Sequence, residues 1–356
     1  MNEQRFILDN IMSLKRHLLK RFDVYQITAD RQGEKSWQVS EADEVLPLFG
    51  PKNLPLVSLK RFFFAENEAI YSFNGNTFSP IKPKIEPRAI FGVQACDLTA
   101  ISYQDTFFKD DPYYQARRQQ TLLVGIDCNS PCEKGFCHEM NAGPHVDSAH
   151  ADLILSQFSD LQNTAVSSTE TAKGAWLLIA ATEKGRDSLQ GLVLQNAPEN
   201  WPELRQQLKQ QVVAKFADFS YIKSSTEIIN KGQVPAKLWE ELSVRCLACS
   251  GCTNLCPTCS CYSSYEQYDS ESNQTTTRRI WDSCQFEGFQ REASNHNPSQ
   301  LAAQRTERFW FHKFSNAYLP EFGRYGCVGC GRCEQTCAGS IGVHSVMKRI
   351  NQVCCN

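Results

Sequence analysis

Two cysteine runs of identical spacing constrain this chain more than any other feature. The first is Cys246-Leu-Ala-Cys249-Ser-Gly-Cys252-Thr-Asn-Leu-Cys256-Pro257, and the second is Cys327-Val-Gly-Cys330-Gly-Arg-Cys333-Glu-Gln-Thr-Cys337-Ala338. Three thiolates, each separated from the next by two residues on a tight loop, each reach one iron of a 4Fe-4S cubane. The fourth, leaving the loop towards a helix, points at a neighbouring cluster. The spacing predicts two 4Fe-4S clusters with crossed shells: Cys246, Cys249, Cys252 and Cys337 around one, and Cys327, Cys330, Cys333 and Cys256 around the other. The small residues Ser250, Gly251, Gly329 and Gly331 suit backbone N–H donation to cluster sulfur, or turn geometry alone.

The competing chemistries fit less well. The chain has 17 cysteines, 11 of them between Cys246 and Cys337, and an odd total does not close a disulfide framework. Met1-Asn-Glu-Gln-Arg-Phe has no signal-peptide core and no twin arginine, so a reducing cytoplasm is expected, where disulfides are rare. Structural zinc uses paired CxxC or Cys/His elements rather than four cysteines in one run. A net charge of −2 calls for neither nucleic acid nor an anionic membrane as partner. No apolar run approaches the roughly 18 residues of a membrane span.

The 356 residues suit about two domains. Residues 3–20 carry Phe6, Ile7, Ile11, Leu14, Leu18 and Leu19 at helical spacing and read as an amphipathic helix, for packing or for docking a partner. Residues 22–85 read as short strands joined by turns. Apolar runs at 88–93, 121–126 and 176–181 read as strands, with helices around 97–108 and 201–216. This alternation predicts an α/β layer with some parallel strands. A linker is expected near 223–236, dividing residues 1–235 from 236–356. About 70 residues separate the cysteine runs, far more than in compact two-cluster ferredoxins, and this insert reads as largely helical. The expected fold is an α/β (or α+β) chain: an N-terminal mixed α/β domain followed by an α-helical ferredoxin-type two-cluster domain.

Other cysteines leave alternatives open. Cys259, Cys261 and Cys284 are further ligands or buried core thiols. Cys96 and Cys128 follow two strands, with Cys132 and Cys137 on the loop after the second. Ligands in α/β sheets sit outside the carboxyl ends of strands, so these four surround a third cluster or are two core cysteines and two loop thiols. Cys354 and Cys355, at the chain end, receive no role, and the scattered histidines His138, His145 and His150 read as loop residues rather than ligands. No nucleotide-binding glycine motif appears, so nicotinamide chemistry would fall to another subunit.

Several stretches resemble a known family. Phe91-Gly-Val-Gln-Ala-Cys96-Asp97-Leu-Thr-Ala-Ile, Asp111-Pro-Tyr-Tyr-Gln-Ala-Arg-Arg118 and Gly135-Phe-Cys137 look like the N-terminal domain of the beta subunit of soluble NAD(P)-linked nickel–iron hydrogenases, the sulfhydrogenases. Cys256-Pro-Thr-Cys-Ser-Cys261, Trp281-Asp-Ser-Cys284, Phe311-His-Lys-Phe314 and Cys327-Val-Gly-Cys-Gly-Arg-Cys333 are similar both to that beta subunit of hydrogenase and to the electron-transfer subunit of anaerobic sulfite reductase. Where the family often has Cys-Phe-Cys, this chain has Gly135, with Cys132 three residues earlier. The resemblance implies a cytoplasmic electron-transfer subunit of a hetero-oligomer. It would relay electrons between a subunit that handles flavin and NAD(P) and a catalytic hydrogenase subunit or, in the other relative, a siroheme subunit. No catalytic acid, base or nucleophile is needed. Two rivals remain: reduction of sulfur or polysulfide at an unusual cluster near Cys132, and a non-redox structural or sensing protein.

Overall fold

A computed structural model describes residues 3–40, 50–158 and 173–354. Cys355 lies outside these described residues. The strands in chain order are β1 (Gln4–Asn10), β2 (Asp23–Ala29), β3 (Lys35–Val39), β4 (Asn67–Phe73), β5 (Phe78–Pro80), β6 (Arg88–Gln94), β7 (Thr121–Ile126), β8 (Leu153–Gln157), β9 (Lys173–Ala180), β10 (Gln195–Asn196), β11 (Tyr262–Asp269) and β12 (Gln274–Trp281). The chain forms two compact units, each assembled from three stretches. One comprises Met1–Val57, Ile85–Ser102 and Arg117–Ala217, and the other Ser58–Lys84, Tyr103–Ala116 and Asp218–Asn356.

The first unit holds a mixed sheet of order β10-β1-β9-β8-β7-β6-β2-β3. Strands β2, β6, β7 and β8 run parallel to their neighbours in that series, and the remaining pairs are antiparallel. Every residue of β7 is buried, as is all of β6 after Arg88, which accounts for their unbroken apolar sequence. On one face Leu14, Leu18, Phe91, Val124, Leu155 and Trp176 form the core. Close packing requires Gly125 on β7, because a Cβ there would lie 2.7 Å from Leu98 Cδ1.

The second unit combines a four-stranded antiparallel sheet of order β11-β12-β4-β5 with the helices that carry the cysteine runs. Among these helices are Ala236–Val244, Gly251–Asn254, Ala302–Phe314, Arg332–Thr336 and Val343–Cys354. At the centre of the sheet Arg279 is buried, and its guanidinium meets Glu68 Oε1 at 2.6 Å and also bonds Asp111. The rings of Phe64, Phe108, Tyr113 and Tyr262 surround it. No helix among the described residues is long and apolar enough to cross a membrane.

Three expectations need correction. The expected helix over 3–20 is strand β1 followed by the helix Ile11–Leu18. Asn10 divides them, its side chain accepting a hydrogen bond from Met12 N at 2.8 Å, while β1 pairs with β9 and β10. The expected linker contains most of the helix Ser220–Asn230, whose Ile222, Ser225, Thr226, Ile228 and Ile229 are buried. Ser225 Oγ donates to Met347 O at 2.6 Å, so small polar residues pack inside a segment that read as solvated. The insert between the runs is not largely helical, since it opens with the hairpin β11–β12 before the helix Ala302–Phe314. Its tyrosines at 262, 265 and 268 and the Thr275-Thr-Thr277 stretch favour strand over helix by residue type.

Candidate iron–sulfur site

The two cysteine loops share one backbone design. Two and four residues after the first cysteine, each enters the left-handed region: Ala248 (φ 48°) and Ser250 (φ 62°) in the first run, Gly329 (φ 65°) and Gly331 (φ 77°) in the second. Glycine does this freely, whereas Ala248 and Ser250 each carry a cost of about 1 kcal/mol. Each loop then enters a short helix, Gly251–Asn254 or Arg332–Thr336. These helices approach so closely that a Cβ on Gly251 would lie 3.1 Å from Thr336 Cγ2. Backbone N–H groups reach cysteine sulfurs in the second run, with Gly329 N 3.4 Å from Cys327 Sγ and Ile341 N 3.4 Å from Cys337 Sγ.

Cys246, Cys249 and Cys252 of the first run and Cys337 of the second line a single small cavity, partly open to solvent. Phe309, Trp310, Thr306, Gln285 and Ile341 complete its wall. Burial, and then the nearby thiols Cys246, Cys256, Cys337 and Cys249, push Cys252 up to about 12. Cys327 is likewise pushed up to about 12, first by burial, with Cys330 and Cys256 adding to it. Cys333 is driven up by burial and then by Cys327, Cys330, Cys256 and Cys252. Thiols so gathered cannot all ionise unless positive charge lies between them, and the iron of a cluster supplies that charge. Among the described residues no three His, Cys, Asp or Glu side chains meet at single-ion spacing. A zinc tetrahedron, with Zn–S bonds of roughly 2.3 Å, would draw its sulfurs to about 4 Å of one another. A set of four thiols with no other donor type suits a 4Fe-4S cubane.

Cys259, Cys261 and Cys284 lie beside these sets. Cys256 is held well below the usual thiol range, first by a hydrogen bond from Cys259, with Lys313, Thr258 and Lys60 adding to it against the effect of burial. Cys261 is lowered to about 6, first by a hydrogen bond from Cys284, which retains the proton. The lysines were not legible as site residues in the sequence. Lys60 Nζ donates to Thr253 O (3.1 Å) and Cys259 O (3.2 Å), and Lys313 Nζ donates to Thr258 Oγ1 (2.9 Å). Gln104 holds the same loop, its Nε2 donating to Pro257 O at 3.0 Å.

In the first unit, Cys96 and Cys128 each lie two residues beyond the ends of the parallel neighbours β6 and β7. Cys128 is raised well above the ordinary thiol range by burial, then by Cys132, Cys137 and Asp127. Gly143 leaves room at Cys137, since a Cβ there would lie 2.8 Å from its Sγ. Three of the four thiols are thus gathered, with Cys96 buried at the adjoining strand end.

The histidines near this group have partners of their own. His145 Nδ1 lies 3.5 Å from Asp127 Oδ2, and Arg205 chelates the same carboxylate at 2.7 and 2.9 Å. Burial lowers His145 to about 4, with Asp127 opposing and Arg205 and Lys209 assisting. An unfolded histidine takes up its proton near pH 6.5. Stability from His145 is therefore complete above that pH and is lost as the pH falls towards 4. Going from about pH 7.5 to about pH 5.5 should cost roughly 1 kcal/mol that His145→Gln does not lose, measured by urea unfolding. Equal pH dependence in both proteins would remove His145 as the cause.

Two loops of one design, each entering a short helix, gather Cys337 of the second run with Cys246, Cys249 and Cys252 of the first, as an iron–sulfur domain would. Residues 245–341 match the family described as a 4Fe-4S dicluster domain. The chain is also similar to Sulfhydrogenase 2 subunit beta of Pyrococcus furiosus, with 25% identity over 306 residues that cover 82% of each chain. No solved structure matches it. The domain match and this relative bear out the family read from the sequence motifs.

Proposed function

We propose that this chain is the iron–sulfur electron-transfer subunit of a cytoplasmic, hydrogenase-type oxidoreductase complex. The observation that carries the reading is the cavity shared by Cys246, Cys249, Cys252 and Cys337, which joins both runs of the dicluster region at one site. The similarity to a sulfhydrogenase beta subunit supports it. When bound, each 4Fe-4S cluster takes up and releases one electron. The residues do the rest: thiolates hold the iron, and backbone N–H groups at Cys327 and Cys337 offset charge on sulfur. Cys249 is exposed, and the apolar Val244 and Leu247 near it are 86% and 68% exposed, which suits an edge where electrons pass to a partner. The partners in this reading are a flavin- and NAD(P)-handling subunit on one side and a catalytic hydrogenase subunit on the other. The cysteines at 96, 128, 132 and 137 are a candidate set for a third cluster, supported by the gathering of Cys128, Cys132 and Cys137.

Anaerobic iron and sulfide analysis with EPR should give at least about eight irons per chain and reduced-cluster signals. About one metal per chain, identified as zinc, would end the reading. If the third set is occupied, iron rises to about twelve, and Cys128→Ser with Cys137→Ser removes about four. Iron unchanged by that double substitution would leave these residues as ordinary thiols. Affinity capture of the intact complex should bring down a nickel–iron subunit, and capture of a siroheme subunit would reassign the complex.

A further inference from the structure

The two ligand sets of the proposed relay have unlike electrostatic surroundings. No charged side chain, among the described residues, lines the cavity of Cys246, Cys249, Cys252 and Cys337. Around Cys256 the surroundings are cationic. Lys60 and Lys313 are only 2% and 4% exposed. Their partners are backbone carbonyls, a hydroxyl, aromatic rings and sulfur, and neither has a carboxylate partner among the described residues. Lys313 Nζ bonds Thr258 Oγ1 at 2.9 Å, and that oxygen lies 3.2 Å from Cys256 Sγ and donates to Gly326 O at 2.7 Å. Lys60 Nζ lies 4.2 Å from the centre of the Trp281 ring. Cys256, Cys259 and Cys327 are among the groups that act most strongly on Lys313, and Arg324 senses Cys327 as well.

A buried ammonium costs several kcal/mol unless an anion compensates it. Here the compensating anions are sulfur, and metal-bound thiolates carry that negative charge. Adding an electron to a cluster adds negative charge, so a fixed cation beside its ligands favours the reduced state.

We infer that Lys313, assisted by Lys60, is the buried countercharge of the cluster ligated by Cys256, Cys327, Cys330 and Cys333, and holds it at a higher reduction potential than the cluster ligated by Cys246, Cys249, Cys252 and Cys337. The inference rests on the relay reading and adds an order to it: an electron shared by the two centres resides at the lysine side. It also gives a role to the Phe311-His-Lys-Phe314 segment.

The test is an EPR-monitored redox titration of the full chain, anaerobically, in wild type, Lys313→Met, Lys313→Arg and Lys60→Met. Lys313→Met should lower the higher midpoint enough to change the oxidised-to-reduced ratio about tenfold at a fixed potential, or about 59 mV for one electron. The lower midpoint should stay in place, and Lys313→Arg should keep the wild-type value. Repeating the titration in a Cys249→Ala background, where the uncharged cavity loses a ligand, identifies the moving signal. If Lys313→Met loses iron, Lys60→Met carries the same test. Iron lost from both methionine variants but retained by Lys313→Arg supports the countercharge role, and iron lost from all three overturns it. Full iron with both midpoints unmoved, or a shift confined to the lower one, also overturns it. A wild-type chain with fewer than about eight irons would instead overturn the relay reading.

Discussion

Cys337→Ala and Cys249→Ala are expected to abolish the same EPR signal, although the residues lie in different cysteine runs. Each substitution should cost about four irons, and the double variant no more than either alone. Combining Cys337→Ala with Cys330→Ala should cost about eight. The reason is geometric: Cys337 of the second run lines the cavity of Cys246, Cys249 and Cys252, whereas Cys256 of the first run is not among the described residues lining it. If each run filled its own shell, the pattern would invert, and Cys337→Ala would be redundant with Cys330→Ala.

Arg279→Met should destabilise the chain by about 3–5 kcal/mol, seen as a large drop in the midpoint of thermal unfolding. Arg279 lies directly opposite Glu68 in the β4–β12 register, bonding Oε1 from Nε (3.0 Å) and Nη2 (2.6 Å), and Nη1 bonds Asp111. Its loss leaves the buried Glu68 carboxylate without its guanidinium beside the aromatic rings, while the part-buried Asp111 keeps the Tyr113 and Tyr114 amides. The neighbouring Arg278 donates to Asn67 at the surface, and Arg278→Met should stay within about 0.5 kcal/mol of wild type. Equal effects at the two positions would show that the buried pair does not hold this sheet together. Adding Glu68→Leu to Arg279→Met should recover part of the loss, because one stranded charge is gone.

Adjacent Arg278 and Arg279 illustrate how far the residues could be read alone. In the sequence they are equivalent, and only the pleat of β12 turns one towards Glu68 and Asp111. The strands β6 and β7 and the helix Trp201–Val213 were legible because their patterns are local: continuous apolar runs for buried strands, and proline in the first turn of the helix. The hairpin β11–β12 was missed because its outer faces are polar and tyrosine-rich, without the apolar alternation that marks a half-buried strand. The helix Ser220–Asn230 was missed because Ser225 and Thr226 are buried through hydrogen bonds rather than through apolar surface.

The cysteine loops were set by spacing within a dozen residues, since loop geometry and thiol reach are properties of a short backbone segment. Their repeated left-handed residues at 248 and 250 and at 329 and 331 follow from that local demand. What surrounds the thiols is not local. Lys60 lies 196 positions before Cys256, and Lys313 57 positions after it, yet both act on its sulfur. Charge acts through space, and chain separation carries no information about distance once a chain has folded. Spacing therefore marked the candidate iron ligands, and folding alone decided which of them has buried cations beside it.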